Sequence, residues 1–247
     1  VVTSSSGSPG QAVAFVAHRF GIRSVIVMPE SAPAVKVAGV RRYGGEVVFA
    51  GQTRSPEQQH RAVRYATEEG LAMIPPFDHP DVIAGQGTTG LEILEQVPDV
   101  ATILVPVGGG GLLSGITTAV KALRPEVELI GVEPVGAPKL SAALAAGAPA
   151  MLEQTASLAD GLLTRALGAL PWSLIAGRVR QAVVVTEKEI GTAVRALFEH
   201  QGLRVEPSGA VTVAALLSGK VRSAGPLVAV LSGGNVDPDL FQRLVTG

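Results

Sequence analysis

The chain has 247 residues, 47% of them hydrophobic and 17% charged, with a formal net charge of −1. That length suffices for one large domain or two small ones with real cores. The near-neutral balance leaves no basic field for nucleic acid, and no apolar run reaches the ~18 residues of a membrane span. The absence of cysteine excludes disulfides, thiol nucleophiles and cysteine-ligated metals. Nothing at the N-terminus resembles a signal peptide, so a cytoplasmic location is expected.

In chain order, β-rich runs alternate with helical patterns. Val1–Thr3 reads as a strand, Gln11–Phe20 as a helix, Ser24–Met28 as a strand and Ala34–Tyr43 as a helix. Glu46–Phe49 follows as a strand, Pro56–Glu69 as a polar helix and Leu71–Ile74 as a strand. The pair Pro75-Pro76 can continue neither a ladder nor a helix interior and marks the expected boundary between a small αβ domain, 1–76, and a larger one, 77–247. Beyond it, Pro80–Gln96 reads as a helix despite three glycines and Ala101–Val107 as a buried strand. Next come helix Leu112–Leu123, strand Glu128–Glu133, helix Lys139–Ala146 and an irregular stretch over 149–169. Helix Trp172–Arg180, strand Ala182–Thr186, helices Glu187–His200 and Ser208–Leu217, strand Leu227–Leu231 and a terminal helical turn complete the pattern. The alternation predicts an α/β fold of two open, mainly parallel sheets flanked by helices.

Three glycine-bearing loops, 4–10, Gly108–Gly111 and Ser232–Asn235, each follow a predicted strand, the end of a parallel strand at which ligands bind. The second is the most telling. Four consecutive glycines lead a buried strand into a helix N-terminus, where unpaired N–H groups and the helix dipole suit a phosphate. A dinucleotide reading competes locally, because Gly109-x-Gly111-x-x-Ser114 approximates the Rossmann fingerprint and Glu133 lies 22 residues beyond Gly111. Against it, Pro134 follows at once and the other two loops stay unexplained. The four histidines, His18, His60, His79 and His200, show no ligand spacing and suit surface or cap roles.

The sequence resembles the fold-type II pyridoxal-phosphate enzymes, the tryptophan synthase β-like superfamily, and within it the serine/threonine dehydratase and serine racemase branch. The resemblance rests on VVTSSSGSPGQA at the start, HPDVIAGQGTTGLEIL at 79–94, PVGGGGLLSG at 106–115 and GVEPVGA at 131–137. ADG at 159–161, VVTEKEI at 184–190, VEPSGA at 205–210 and VLSGGNVD at 230–237 complete it, in family order along the whole chain. It implies a lyase that converts serine or threonine to a 2-oxo acid and ammonia with pyridoxal 5'-phosphate in a cleft between domains, and a homodimer when full length. By the same resemblance Gly108, Gly109, Gly110, Gly111 and Leu112 hold the cofactor phosphate, and Ser232 with Gly233 meets the pyridine nitrogen. Glu206 stands near the cofactor or simply starts a helix. Ser5, Ser6 and Gly7 meet the substrate carboxylate, Ser6 serves as acid/base, and Ser8 faces the cofactor ring hydroxyl.

Three departures qualify that pattern. The family's lysine lies in an S-F-K segment upstream of Val1, and none of Lys36, Lys121, Lys139, Lys188 and Lys220 stands in that context. The chain, which opens on valine, is therefore expected to be an incomplete or processed form that lacks the first part of the larger domain, or a catalytically inactive one. SSGSPG replaces the usual SSGNHG, so Ser8 and Pro9 stand for asparagine and histidine. Some members hold a divalent cation through a glutamate, a carbonyl and an aspartate. Glu133 and Ala137 match two of these, but Lys139 takes the place of the aspartate and can itself pair with Glu133, so no metal is expected.

Overall fold

The computed structural model describes residues 1–5, 7–52, 56–179 and 181–247. The chain divides into two compact units, Val1–Pro76 and Phe77–Gly247.

The first unit is built on three parallel strands in the order β1 (Val2–Ser4), β2 (Val25–Met28), β3 (Glu46–Phe49). Helices α1 (Ser8–Arg19), α2 (Ala34–Arg42) and α3 (Pro56–Glu68) join and follow them. Alternation along a strand sends neighbours to opposite faces. Val25 and Val27 pack with Val2 and Ala62 on one side of the sheet, while Ile26 and Met28 pack with Ala14, Val37 and Val40 on the other. Helix α1 begins earlier than expected, because Pro9 falls in the first turn, where a missing N–H costs nothing. The strand expected over Leu71–Ile74 is reduced to a single bridge, Val2 to Met73, flanked by the bonds Val2 N–H to Ala72 O and Ile74 N–H to Val2 O. Pro75 and Pro76 bring no N–H groups to extend it.

The second unit carries a four-stranded parallel sheet in the order β6-β5-β4-β7, with β4 (Thr102–Pro106), β5 (Glu128–Pro134), β6 (Gln181–Val185) and β7 (Leu227–Ala229). Leu104, Ile130 and Val132 face one apolar core with α8 (Glu187–Gln201), α9 (Pro207–Leu217) and α10 (Pro238–Thr246). Ile103, Val105 and Leu129 face the other, with α5 (Gly111–Leu123) and α6 (Lys139–Ala146). Helix α4 (Pro80–Gln96) lies against α5, and its glycines are explained there. A Cβ at Gly87 would come within 3.2 Å of Gly115 O, and one at Gly90 within 3.2 Å of Ile116 Cα. His79 caps α4, its Nδ1 accepting from Asp81 N–H at 3.3 Å.

Helix α7 (Ala169–Ile175) starts before the expected Trp172, and Arg180, its expected end, lies outside the described residues. The Asp78 carboxylate, distant in sequence, accepts from Ala169 N–H and Leu170 N–H at 3.1 Å each and fixes this start. The terminal turn is a full helix, α10, capped by Asp237. No helix among the described residues is long and apolar enough to cross a membrane.

Candidate functional site

Strands β4 and β7 are parallel neighbours, so the loops that leave their carboxyl ends emerge at the same edge of the sheet. Gly108–Gly111 follow β4, and Ser232 and Gly233 follow β7. Among the described residues, no acceptor pairs with the N–H groups of Gly108 through Leu113; the first intrahelical bond runs from Ser114 N–H to Gly110 O at 2.8 Å. Gly109, Gly110, Gly111 and Leu113 are buried. Buried N–H groups are almost always paired, so a consecutive run of such donors at a helix N-terminus is an anion cradle.

The glycines are needed for a reason the sequence did not reveal. A Cβ on Gly109 would overlap the Phe77 ring, and one on Gly111 would come within 3.0 Å of Phe77 Cβ. At Gly108 it would lie 3.2 Å from Gly161 O. Gly110 sits at φ +94°, with Pro171 Cβ only 2.9 Å from where a methyl would stand. The loop is thus clamped between Phe77, Gly161 and the first turn of α7, and Gly168 N–H binds Gly109 O at 3.0 Å.

The same clamp reaches Glu206. Gly161, in the 3-10 turn Asp160–Leu162, donates to Ser208 Oγ at 2.9 Å. Two residues earlier Glu206 N–H donates to Gly233 O at 3.0 Å. Glu206 is 5% exposed and holds the N-cap position of α9 without capping it; its carboxylate lies instead where a Gly233 side chain would be. Ser232 is exposed. Gly108–Leu112, Glu206, Ser232 and Gly233 therefore belong to one cluster of loops in the second unit.

The remaining candidates lie in the first unit. Ser5, 8% exposed, follows β1, and its Oγ accepts from Gly7 N–H at 3.2 Å and Gly10 N–H at 3.1 Å. Gly7 is the N-cap residue of α1 and Ser8 its first helical residue. Ser8 is thus part of the helix rather than of the expected loop. Ser6 lies outside the described residues. One residue was missed. Lys36, in the first turn of α2, is 1% exposed, with Nζ 4.0 Å from the position of a Gly7 Cβ. Its only sequence signal is a lone cation among apolar and small residues, AVKVAG.

The dinucleotide alternative fails on Glu133. This carboxylate, which would have to reach a ribose, is fully buried and accepts from Leu140 N–H at 2.9 Å and from Ser141 N–H and Oγ–H at 2.8 Å each.

The family model described as pyridoxal-phosphate dependent enzyme matches residues 1–233. The chain belongs to this family. An L-threonine ammonia-lyase of Geobacter sulfurreducens is 45% identical over 238 residues, which cover 96% of this chain and 59% of that relative. The chain thus spans less than two thirds of that relative's length. Among solved structures, maize serine racemase superposes with a TM-score of 0.93 at 38% identity, over 98% of this chain and 75% of that one. A bacterial-type threonine deaminase, from T.th., gives 0.90 at 41% identity, over 96% and 77%. The fold is that of the fold-type II branch, and the family's cofactor is pyridoxal phosphate.

The cradle fits that cofactor, because a phosphate takes several N–H donors at a helix N-terminus without needing a cationic side chain. The divalent cation of some members does not fit. The ammonium of Lys139 stands 3.7 Å from Glu133 Oε2 and donates to Ala137 O at 2.8 Å. Among the described residues no group of three or more His, Cys, Asp or Glu could hold a metal.

Proposed function

We propose that the chain holds pyridoxal 5'-phosphate by its phosphate in the cradle of Gly108, Gly109, Gly110, Gly111 and Leu112, and that the whole protein is a threonine/serine ammonia-lyase. The run of unpaired, buried N–H groups carries the first part of this reading. The printed activities of the relatives, L-threonine ammonia-lyase and threonine deaminase, support the second. When bound, the cofactor supplies the electron sink that lets a hydroxy-amino acid lose its α-proton and then its β-hydroxyl.

The chain's own residues would orient and tune this chemistry. Ser232 offers the ring nitrogen a neutral hydroxyl, which leaves it without the full charge a carboxylate would impose, a setting suited to β-elimination. Glu206, with Gly233 against it, flanks the same loop. The Ser5 hydroxyl already accepts two N–H groups, so its one proton is left to donate to a substrate carboxylate, together with Gly7 and Ser6. Lys36 adds positive charge beside that turn. Ser8 replaces the family asparagine at the ring hydroxyl, and Ser6 is the acid/base of the proposal. Racemisation of serine is a second reading, favoured by the TM-score of 0.93 to maize serine racemase. It requires Ser6 to return a proton to the face opposite the one from which it was taken. A cytoplasmic location and a homodimer of the whole protein follow from the family resemblance.

The test compares the PLP-loaded chain with the same chain preceded by a segment carrying the S-F-K lysine, each offered L-threonine and L-serine. The extended protein releases 2-oxo acid and ammonia. Release from neither substrate contradicts the lyase reading, and loss of one serine enantiomer into the other without ammonia favours the racemase.

A further inference from the structure

In the connection from β5 to α6, a carboxylate and an ammonium are both completely buried, and neither belongs to the site described above. Glu133, at the end of β5, reaches the N-terminus of α6 and satisfies its oxygens on Leu140 N–H, Ser141 N–H and the Ser141 hydroxyl. Lys139, the first residue of α6, curls back so that Nζ donates to Ala137 O at 2.8 Å, 3.7 Å from Glu133 Oε2. A carbonyl and a carboxylate oxygen therefore converge on one positive charge in a dry place. These are the oxygen donors a hard divalent ion takes. The ion's place is filled by nitrogen from the chain itself.

We propose that Lys139 is a tethered cation, which neutralises Glu133 and holds the 134–138 connection so that this region needs no free divalent ion. An ionised carboxylate taken fully out of water persists only when paired and hydrogen-bonded, and the ammonium provides the pairing. The location gives the pair a purpose. Val107 N–H bonds to Val132 O at 2.9 Å, one residue before Glu133, and Val107 leads directly into Gly108. Fixing the end of β5 fixes the strand from which the glycine loop departs. Only geometry within the second unit is involved, so the tether stands whether or not the lyase reading holds.

The structure also states what removal of the tether would do. In Lys139→Asp the long stem and its charge disappear, and a third oxygen ligand points from the start of α6 toward Glu133 and Ala137 O. Two buried carboxylates repel one another unless a cation joins them. The variant should therefore acquire a divalent-ion requirement that the native chain lacks.

The experiment is thermal unfolding of the full chain, native and Lys139→Asp, in chelator and in excess Mg²⁺, Mn²⁺ or Ca²⁺. The native midpoint should be the same in all of them. Lys139→Asp should melt roughly 10 °C lower in chelator. At a hundredfold excess over its Kd a divalent ion should restore about 5 °C or more. Lys139→Met, which fills the space without charge or ligand, should be destabilised and unresponsive to ions. The double variant Glu133→Gln/Lys139→Met, which removes both charges, should recover part of the loss. A native chain that is purified with a stoichiometric divalent ion, or loses stability in chelator, overturns the proposal. So does a Lys139→Asp protein, folded or unfolded, that gains nothing from any of the three ions.

Discussion

Replacing Gly110 by alanine separates the two demands on the glycine loop. At φ +94° an alanine bears a conformational cost of about 1–3 kcal/mol. Its methyl would stand 2.9 Å from Pro171 Cβ and 3.3 Å from Leu167 Cδ2. Pro171 is buried in a turn held by Asp78, so it yields little, and overpacking adds about 1 kcal/mol or more. Lower chain entropy in the unfolded state returns at most about 1 kcal/mol, leaving a net loss of roughly 2–3 kcal/mol. If the loop keeps its shape, the loss is seen as a fall in midpoint of about 5–10 °C. If the loop relaxes instead, peptide N–H groups leave the cradle, and each charge-assisted hydrogen bond lost weakens PLP binding by about tenfold or more. The assay is a thermal melt and a PLP titration on the same preparation. Gly147→Ala is the control, since Gly147 has φ +67° with no atom within 4 Å of a new Cβ; it should cost about 1 kcal/mol and leave PLP affinity unchanged. Native midpoint and native PLP affinity together in Gly110→Ala would refute the reasoning.

Gly115→Ala tests the α4–α5 contact: helix propensity alone predicts a gain of about 1 kcal/mol, whereas a Cβ there would overlap Ile83 O and stand 2.7 Å from Gly87 N, so a net loss is expected in urea titration. At Glu189, burial raises the carboxyl, but Lys220 Nζ at 2.6 Å and the Thr186 N–H and hydroxyl outweigh it and leave its pKa below the ordinary value. A depressed carboxylate stabilises above its unfolded pKa and loses that contribution as pH falls through the folded one. The difference in stability between native and Glu189→Gln, about 1 kcal/mol at neutral pH, should therefore shrink toward zero below about pH 4. Borohydride reduction of the PLP-loaded chain should trap no stoichiometric adduct on any of its five lysines, read by peptide mass mapping. Lys36 and Lys139 are buried, and Lys121 and Lys220 are held by carbonyl oxygens.

The parallel α/β layering was legible because it depends on local pattern: runs such as VIVM and TILVP are buried on both faces, and the capping box of Thr186 and Glu189 opens α8 on schedule. Boundaries failed where a distant residue or an ambiguous one decides. Asp78 starts α7 from across the second unit, and Pro9 reads as a breaker although it serves equally well in a first helical turn. The Gly108 loop was legible as a phosphate cradle, but not the reason for four glycines. That reason is Phe77, Gly161 and Pro171, brought in by tertiary contact. Glu133 and Lys139 were legible as a pair, since a strand end and a helix start so close in sequence can fold back on each other. Lys36 was not, because nothing local tells a buried lysine from a solvated one.

The most direct measurement of the central claim is the amide spectrum of the labelled chain, titrated with PLP and, separately, with inorganic phosphate. Both ligands should shift the resonances of Gly108 through Leu113, and PLP alone should extend the change to Ser232 and Gly233. Saturable PLP binding that leaves the Gly108–Leu113 amides in place, or no binding at all, would contradict the account.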